Sequence, residues 1–274
     1  MFEQIRFAFI GGGNMAEALI KGLLSGLQVP PQQVIATDVV AERRTYLQAT
    51  YGITALADNT QAVQQSSVVM LAVKPQIMSS ILAEIAPVMD DDTLVISIAA
   101  GVTLEALQRG LGASRRVVRV MPNTPALVLA GAAGISPGKA ATAQDIALVE
   151  RIFNAVGRAM VVSDEMMDVV TGLSGSGPAF IFALIEGLAD GGVLMGLARQ
   201  TAVTLAAQTV LGAAKMVLET GKHPGELKDM VTSPAGTTIA GMHALESGGL
   251  RGLMMEAVRR ATERSTALGQ SPGH

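Results

Sequence analysis

Apolar and polar positions change their rhythm once along this chain, near residue 163. Before that point, short unbroken apolar runs alternate with longer segments whose apolar residues recur every three to four positions. The runs at 5–10, 34–37, 68–73, 94–98 and 117–121 read as strands, and their near-continuous apolarity is that of parallel strands covered on both faces. Between the first two, Met15, Leu19, Leu23 and Leu27 fall on one helical face. Such alternation predicts a doubly wound parallel sheet. A helix starting at Thr142, with Asp145 placed to complete a capping box, and a last strand at about 159–162 end this part. The remainder reads as helices only, which gives two domains, 1–163 and 164–274.

The segment 178–194 is apolar on nearly every face, with Glu186 and Asp190 as its only charges. A helix of that kind has to be surrounded, and about 110 residues form too small a body to enclose it alone. The helical half is therefore predicted to pack against a second copy of the chain, as a homodimer or a higher oligomer.

Composition removes several classes of function. The 274 residues are 49% hydrophobic and 16% charged, with a formal charge of −3 and no run of basic residues, so there is no electrostatic footprint for nucleic acid or an anionic membrane. With no cysteine there is no disulfide, thiolate nucleophile or cysteine metal site, and the three histidines show no metal spacing. No bound metal is expected. The first residues lack a basic stretch followed by an apolar core, since Glu3 and Arg6 interrupt them, and no apolar run reaches the roughly 20 residues of a membrane span. The expectation is a cytoplasmic protein without membrane or nucleic-acid partners.

Candidate chemistry sits at the strand ends. After the first strand comes Gly11-Gly12-Gly13-Asn14-Met15-Ala16, in which glycines permit a tight turn and close backbone approach to a pyrophosphate, and Ala16 lets the helix pack on the strand. Alone this pattern fits an ordinary strand-to-helix turn equally well. Its context is a complete βαβ unit closed by Asp38, an acid at the distance from the glycines at which a ribose acceptor belongs, although Asp38 would also serve as a helix cap. Ala72-Val73-Lys74-Pro75 ends another strand: Pro75 suits a first helical turn, and Lys74 either reaches the nicotinamide ribose or is a solvated lysine. Ala99, Ala100 and Gly101 offer bare backbone on which a flat nicotinamide ring could lie, or simply a place for helix packing. Arg119-Val120-Met121-Pro122-Asn123-Thr124-Pro125 ends in a proline-bracketed loop. In the second half, the stretches Leu173-Ser174-Gly175-Ser176-Gly177-Pro178 and Thr232-Ser233-Pro234-Ala235-Gly236-Thr237-Thr238 read as loops, each preceding an apolar helix. The later one presents hydroxyls and free N–H groups that suit a substrate carboxylate, or else caps its helix.

Together, in this order, the glycine turn with Asn-Met-Ala, the Ala-Val-Lys-Pro strand end, Arg-Val-Met-Pro-Asn-Thr-Pro, Thr-Gly-Leu-Ser-Gly-Ser-Gly-Pro-Ala and the Ser-Pro-Ala-Gly-Thr-Thr loop after Leu227-Lys228-Asp229 resemble pyrroline-5-carboxylate reductase. The similarity spans almost the whole chain. It implies an N-terminal Rossmann-type sheet followed by an all-helical dimerisation domain, and reduction of 1-pyrroline-5-carboxylate to L-proline with NADP(H) or NAD(H). By the same resemblance, Gly11 to Ala16 hold the pyrophosphate, Asn59 lies near the adenosine ribose, and Ala72 to Pro75 and Ala99 to Gly101 flank the nicotinamide. Thr238 is then the residue at the chemistry, hydrogen-bonding the ring nitrogen, while Ser233 and the N–H groups of Gly236, Thr237 and Thr238 bind the carboxylate. Asp164, or its neighbour Glu165, falls where the family has an acidic substrate contact. The resemblance implies a preference for NADPH, whereas Asp38 would repel a 2′-phosphate unless Arg43 or Arg44 swings in, which leaves use of both cofactors open. Two other functions fit parts of the pattern: another imine or β-hydroxyacid reductase, and a nicotinamide-sensing module without turnover.

Overall fold

The computed structural model describes residues 5–269. In chain order its first part contains β1 (Phe7–Ile10), α1 (Asn14–Lys21), β2 (Val34–Thr37), α2 (Ala41–Tyr51), β3 (Thr54–Leu56), α3 (Asn59–Gln64), β4 (Val68–Leu71), α4 (Met78–Ile85), β5 (Leu94–Ser97), α5 (Leu104–Leu111), β6 (Arg116–Met121), β7 (Gly131–Pro137), α6 (Ala143–Asn154) and β8 (Gly157–Val161). Then follow α7 (Met167–Val170), α8 (Gly177–Leu194), α9 (Arg199–Thr220), α10 (Pro224–Met230), α11 (Thr237–Ser247) and α12 (Leu250–Gly269).

Among the described residues, eight strands form one sheet in the order β3-β2-β1-β4-β5-β6-β7-β8. β1, β2, β4 and β5 are buried at every position. Alternate residues of β1 enter two separate cores: Phe7 and Phe9 pack with Leu19, Leu23 and Phe153 on one face, while Ala8 and Ile10 pack with Leu71, Leu82 and Leu107 on the other. Helices on both faces are what make these runs continuously apolar. The chain reverses its direction of growth at β1, which pairs with β2 on one side and β4 on the other, and a doubly wound sheet opens its ligand crevice at that reversal.

Two strands went unpredicted, and one of them breaks the expected all-parallel sheet. β3 is three residues long and partly exposed. β7 runs antiparallel to β6, with Val120 opposite Ile135, and β8 then pairs parallel to β7. α6 begins as expected: Thr142 Oγ1 accepts from the Asp145 N–H at 3.1 Å and Asp145 Oδ2 accepts from the Thr142 N–H at 2.8 Å. The predicted loop at 173–178 is helical instead. A π-helical turn at Thr171–Gly175 leads from α7 into α8.

The chain packs as two compact units. One runs to Ser176 and takes in the chain again from Arg259; the other is Gly177–Val258. Within the second, α8 meets α9 through Ala189, Ala202 and Ala206, with Ile185 and Val193 at the margin, and Arg199 pairs with Asp190. That core is made of small residues, and large apolar ones lie outside it: Phe182 is 65% exposed, Leu194 85% and Met195 84%. Among the described residues, two helical stretches, Asp164–Leu194 and Arg199–Thr220, are long and apolar enough to cross a membrane by length and composition alone.

Candidate active site

The glycine turn is built as a cradle. Gly11 leaves β1 at φ +97° and donates its N–H to the Thr37 carbonyl at 3.1 Å, which ties the turn to β2. A β-carbon on Gly11 would lie 2.6 Å from the Ala72 carbonyl oxygen, so no larger residue fits. Gly13 is the N-cap of α1, in extended conformation and with no side-chain cap, and a β-carbon there would meet nothing within 4 Å. The first N–H groups of α1 therefore face open space at the positive end of the helix, an arrangement that fits a pyrophosphate.

Asp38 faces this turn. Its Oδ2 accepts from the Gly12 N–H at 3.1 Å and its Oδ1 from the Val40 N–H at 2.9 Å, so the carboxylate is fixed beside the glycine turn at the end of β2. The two nearby arginines differ. Arg43 is locked beneath the turn, with Nε on the Gly12 carbonyl, a 2.5 Å ion pair to Glu17, and its guanidinium 5.0 Å from the Tyr46 ring centre. Glu17 also accepts from the Tyr51 and Tyr46 hydroxyls at 2.7 and 2.9 Å. Burial opposes its ionisation, but the bonds from Tyr51, Arg43 and Tyr46 outweigh it and hold the carboxyl below its ordinary range. Burial and the Glu17 charge push the Tyr51 phenol upward. Arg44 instead donates to the Asp38 and Val39 carbonyls at 2.7 and 3.1 Å. Asn59 opens α3, accepting from the Thr37 hydroxyl at 2.6 Å and donating to Glu84 at 3.1 Å.

At the far end of the crevice Ala72 and Val73 are partly buried, Lys74 is exposed, and Pro75 starts a short 3₁₀ turn before α4. Ala99 is buried, whereas Ala100 is exposed and Gly101 turns the chain at φ +78°. Pro75, Gln76, Ala100 and Gly101 line a cavity of about 460 Å³. Behind it the proline-bracketed loop is braced by Asn123, which donates to the Ser174 carbonyl at 3.0 Å and accepts from the Ala132 N–H at 2.8 Å. Asp164 is paired with Arg119 at 3.0 Å, an arginine whose side chain is 5% exposed. Glu165 beside it is exposed.

In the helical unit, the Ser/Thr loop ends at α11 with Gly236 as N-cap and no side-chain cap. Capping thus does not consume the hydroxyls of Ser233, Thr237 or Thr238. Thr232 is different, since its hydroxyl donates to the Lys228 carbonyl at 2.7 Å. Gly236 donates its own N–H to the Ser233 carbonyl at 3.1 Å, closing the turn, so the free donors are those of the first helical residues, Thr237 and Thr238. Ala235 holds φ +55°, a left-handed conformation that costs a non-glycine residue about 1–2 kcal/mol. Lys228, Gly236, Ile239 and His243 line one groove, so a lysine shares the surface with the free N–H groups. Sequence reasoning did not single out Arg119 or Asn123 as site supports, or Lys228 as a site residue. Only Lys228 carried a usable signal, as a basic residue a few positions before the Ser/Thr loop.

Comparison with known proteins adds family evidence to this geometry. Residues 164–268 match the family model described as pyrroline-5-carboxylate reductase dimerisation, and residues 6–101 match one described as NADP oxidoreductase, coenzyme F420-dependent. The chain is 54% identical over 268 residues to the pyrroline-5-carboxylate reductase of Methanosarcina acetivorans, covering 98% of this chain and 99% of that protein. It is 45% identical over 266 residues to the Escherichia coli enzyme of the same name, covering 97% and 99%. Among solved structures, a pyrroline-5-carboxylate reductase from Coxiella burnetii superposes with TM-score 0.94 at 37% identity, over 98% of this chain and 100% of that one. The Plasmodium falciparum pyrroline carboxylate reductase with NADP bound superposes with TM-score 0.87 at 31% identity, again over 98% and 100%.

Proposed function

This chain belongs to the pyrroline-5-carboxylate reductase family, and on that premise we propose which of its residues carry out the family's reaction. The protein is an NAD(P)H-dependent oxidoreductase that reduces the imine of 1-pyrroline-5-carboxylate to L-proline, the last step of proline biosynthesis. When bound, the reduced nicotinamide supplies a hydride to the imine carbon. A protonated imine is already electrophilic, so the residues mainly bind, orient and exclude water.

The observation that carries the assignment is the open α1 N-terminus beyond Gly11. Gly12, Gly13, Asn14, Met15 and Ala16 surround the pyrophosphate, with the N–H groups of Gly13, Asn14 and Met15 as donors. Asp38 accepts from the adenosine ribose hydroxyls, Asn59 orders the end of β2, and Ala72, Val73, Lys74, Pro75, Ala99, Ala100 and Gly101 flank the nicotinamide. In the helical unit the Thr237 and Thr238 N–H groups hold the substrate carboxylate with Ser233, and the Thr238 hydroxyl accepts from the protonated ring nitrogen. Gly236 contributes by shaping the turn. Asp164 is assigned to bracing Arg119, its observed partner, rather than to a first contact with substrate.

Cofactor choice follows from the fixed Asp38 carboxylate. A 2′-phosphate would bring a second anion against it, with Arg43 withheld by Glu17 and only Arg44 near. Both cofactors are expected to turn over with 1-pyrroline-5-carboxylate, NADH with the higher kcat/KM. Asp38→Asn, which removes the charge and keeps an acceptor, is expected to shift the ratio toward NADPH by about tenfold. Absorbance of the nicotinamide with proline as identified product measures all of this. Absence of proline formation would sink the functional proposal, and a native ratio strongly favouring NADPH would sink the role given to Asp38.

The exposed apolar surface of α8 and α9 is assigned to a homodimer formed through the helical unit, a building block from which a higher oligomer could grow. Membrane insertion fits less well, because Glu186, the Asp190–Arg199 pair and the Lys215–Glu219 pair lie on these same helices and would enter hydrocarbon. Phe182→Asp is expected to shift the sedimentation profile from dimer to monomer at micromolar concentration. A native protein that sediments as an active monomer would overturn the dimer. We place the enzyme in the cytoplasm, and recovery of its activity with the membrane fraction of cells would contradict that.

A further inference from the structure

One wall of the cavity at the nicotinamide end comes from the far end of the chain. Beyond Pro75, Gln76, Ala100 and Gly101, the cavity is lined by Ala261, Arg264, Ser265 and Leu268 of α12. Their spacing, i, i+3, i+4 and i+7, is one face of a helix. The helix reaches the turn itself, since a β-carbon on Gly269 would stand 3.4 Å from the Gly101 carbonyl oxygen.

This wall is anchored. Asp168, 97 and 98 residues earlier in the chain, accepts hydrogen bonds from the Ser265 hydroxyl at 2.7 Å and the Thr266 hydroxyl at 2.9 Å, one on each carboxylate oxygen. Ser265 is 6% exposed and Asp168 partly buried, so the first of these bonds is shielded from solvent, while the Thr266 bond lies at the surface. Arg264 precedes the anchored pair, is exposed toward the cavity, and has no paired carboxylate among the described residues. A guanidinium only donates, and it stays charged at every physiological pH. A cavity bounded by Pro75, Gln76, the small residues Ala100 and Gly101, and the hydroxyl residues Thr171 and Ser176, with a helical face carrying one cation opposite, suits a flat ring bearing acceptor oxygens.

We propose that Arg264 is a cofactor-binding residue that donates to acceptor oxygens of the nicotinamide riboside half, and that Asp168 is the positioning residue that sets it there through Ser265 and Thr266. The proposal rests on the reductase reading, in which the nicotinamide lies at the Ala99 to Gly101 turn. It adds an element that the glycine cradle, Asp38 and the Ser/Thr loop do not supply, namely recognition of the reactive half of the cofactor by the end of the chain.

Calorimetric binding to the whole protein, without substrate, tests this with two probes: NADH, and ADP-ribose, which lacks the nicotinamide. Arg264→Gln is expected to weaken NADH about tenfold, the scale of one charge-assisted hydrogen bond, while ADP-ribose affinity changes by less than about twofold. Arg264→Lys should recover part of the loss, because it restores the charge without the fork. Asp168→Asn should weaken NADH in the same selective way, and adding Ser265→Ala to it should cost less than that substitution costs alone, since the two act as one unit. Equal losses for both probes, or none for NADH in the Arg264→Gln protein, would overturn the proposal while native binding leaves the reductase reading standing. A native protein that binds neither probe would overturn both.

Discussion

Gly11→Ala is expected to abolish useful cofactor binding, with the NADH dissociation constant rising at least about 100-fold, and to lower the melting temperature as well. Two costs combine. At φ +97° an alanine is well outside its allowed backbone regions, and the added carbon would stand 2.6 Å from the Ala72 carbonyl oxygen and 3.0 Å from the Ala72 carbonyl carbon. Neither neighbour is the end of a flexible side chain. Relief requires the end of β1 to move away from the end of β4, which carries the α1 N-terminus out of line with the crevice. Overpacking of this kind typically costs about 1–3 kcal/mol, and the backbone conformation adds about another 1–2 kcal/mol. Gly13→Ala is the informative contrast. Its backbone is in ordinary extended geometry and a methyl there meets no protein atom, so the melting temperature is expected to hold while NADH binding falls, because the methyl occupies the space before the free N–H groups. Calorimetry and thermal unfolding on both variants separate the two effects, and a Gly11→Ala protein that binds NADH like the native one would remove the cradle from the cofactor site.

The same turn shows what the sequence makes legible. A tight turn, the strand before it and the helix after it are contiguous, so their chemistry is written in consecutive residues; the capping box of Thr142 and Asp145 is legible for the same reason. The buried strands β1, β2, β4 and β5 carry their own signal because both faces are covered. β7 carries none. Its sequence, Gly-Ala-Ala-Gly-Ile-Ser-Pro, has a single β-branched residue and glycine and proline where turns are expected, yet pairing with β6 makes it a strand. The stretch Ser174-Gly175-Ser176 misleads in the opposite direction. It has loop composition, but Gly175 sits in a π-helical turn where a β-carbon would be 2.7 Å from the Met121 Cε, so the glycine serves helix packing. The last strand ends at Val161, two residues before the boundary at 163 drawn from strand signals, while contacts keep the chain with the sheet as far as Ser176 and bring it back at Arg259. Long-range pairs lie beyond any periodicity: Arg119 with Asp164 is 45 residues apart and Asp168 with Ser265 is 97. Such partners are chosen by the fold, and a single chain offers no pattern that names them.

Thr238→Ala is expected to lower kcat/KM roughly ten- to a hundredfold, the scale of one or two polar contacts, with NADH affinity nearly unchanged. The substitution is unusually clean for a helix N-terminus. Thr238 is the second residue of α11, the cap position is held by Gly236, and no side chain caps the helix, so deleting the hydroxyl removes no observed intramolecular bond. Alanine is also the better helix former, by a few tenths of a kcal/mol, and thermal unfolding should show no loss. Any fall in activity therefore belongs to the chemistry. The donors we assign to the carboxylate are backbone N–H groups of Thr237 and Thr238, which the variant keeps, so substrate is expected to dock still and the loss to appear more in kcat than in KM. Without an acceptor beside the ring nitrogen the protonated imine is less favoured in the complex, and the alkaline limb of the kcat profile should move to lower pH. Thr238→Ser, which keeps the hydroxyl, should retain most of the activity, and Thr237→Ala should retain more than Thr238→Ala. Unchanged turnover in Thr238→Ala, or a pH profile that does not move while kcat falls, would take the ring-nitrogen role away from Thr238 and leave carboxylate binding as the work of that helix end.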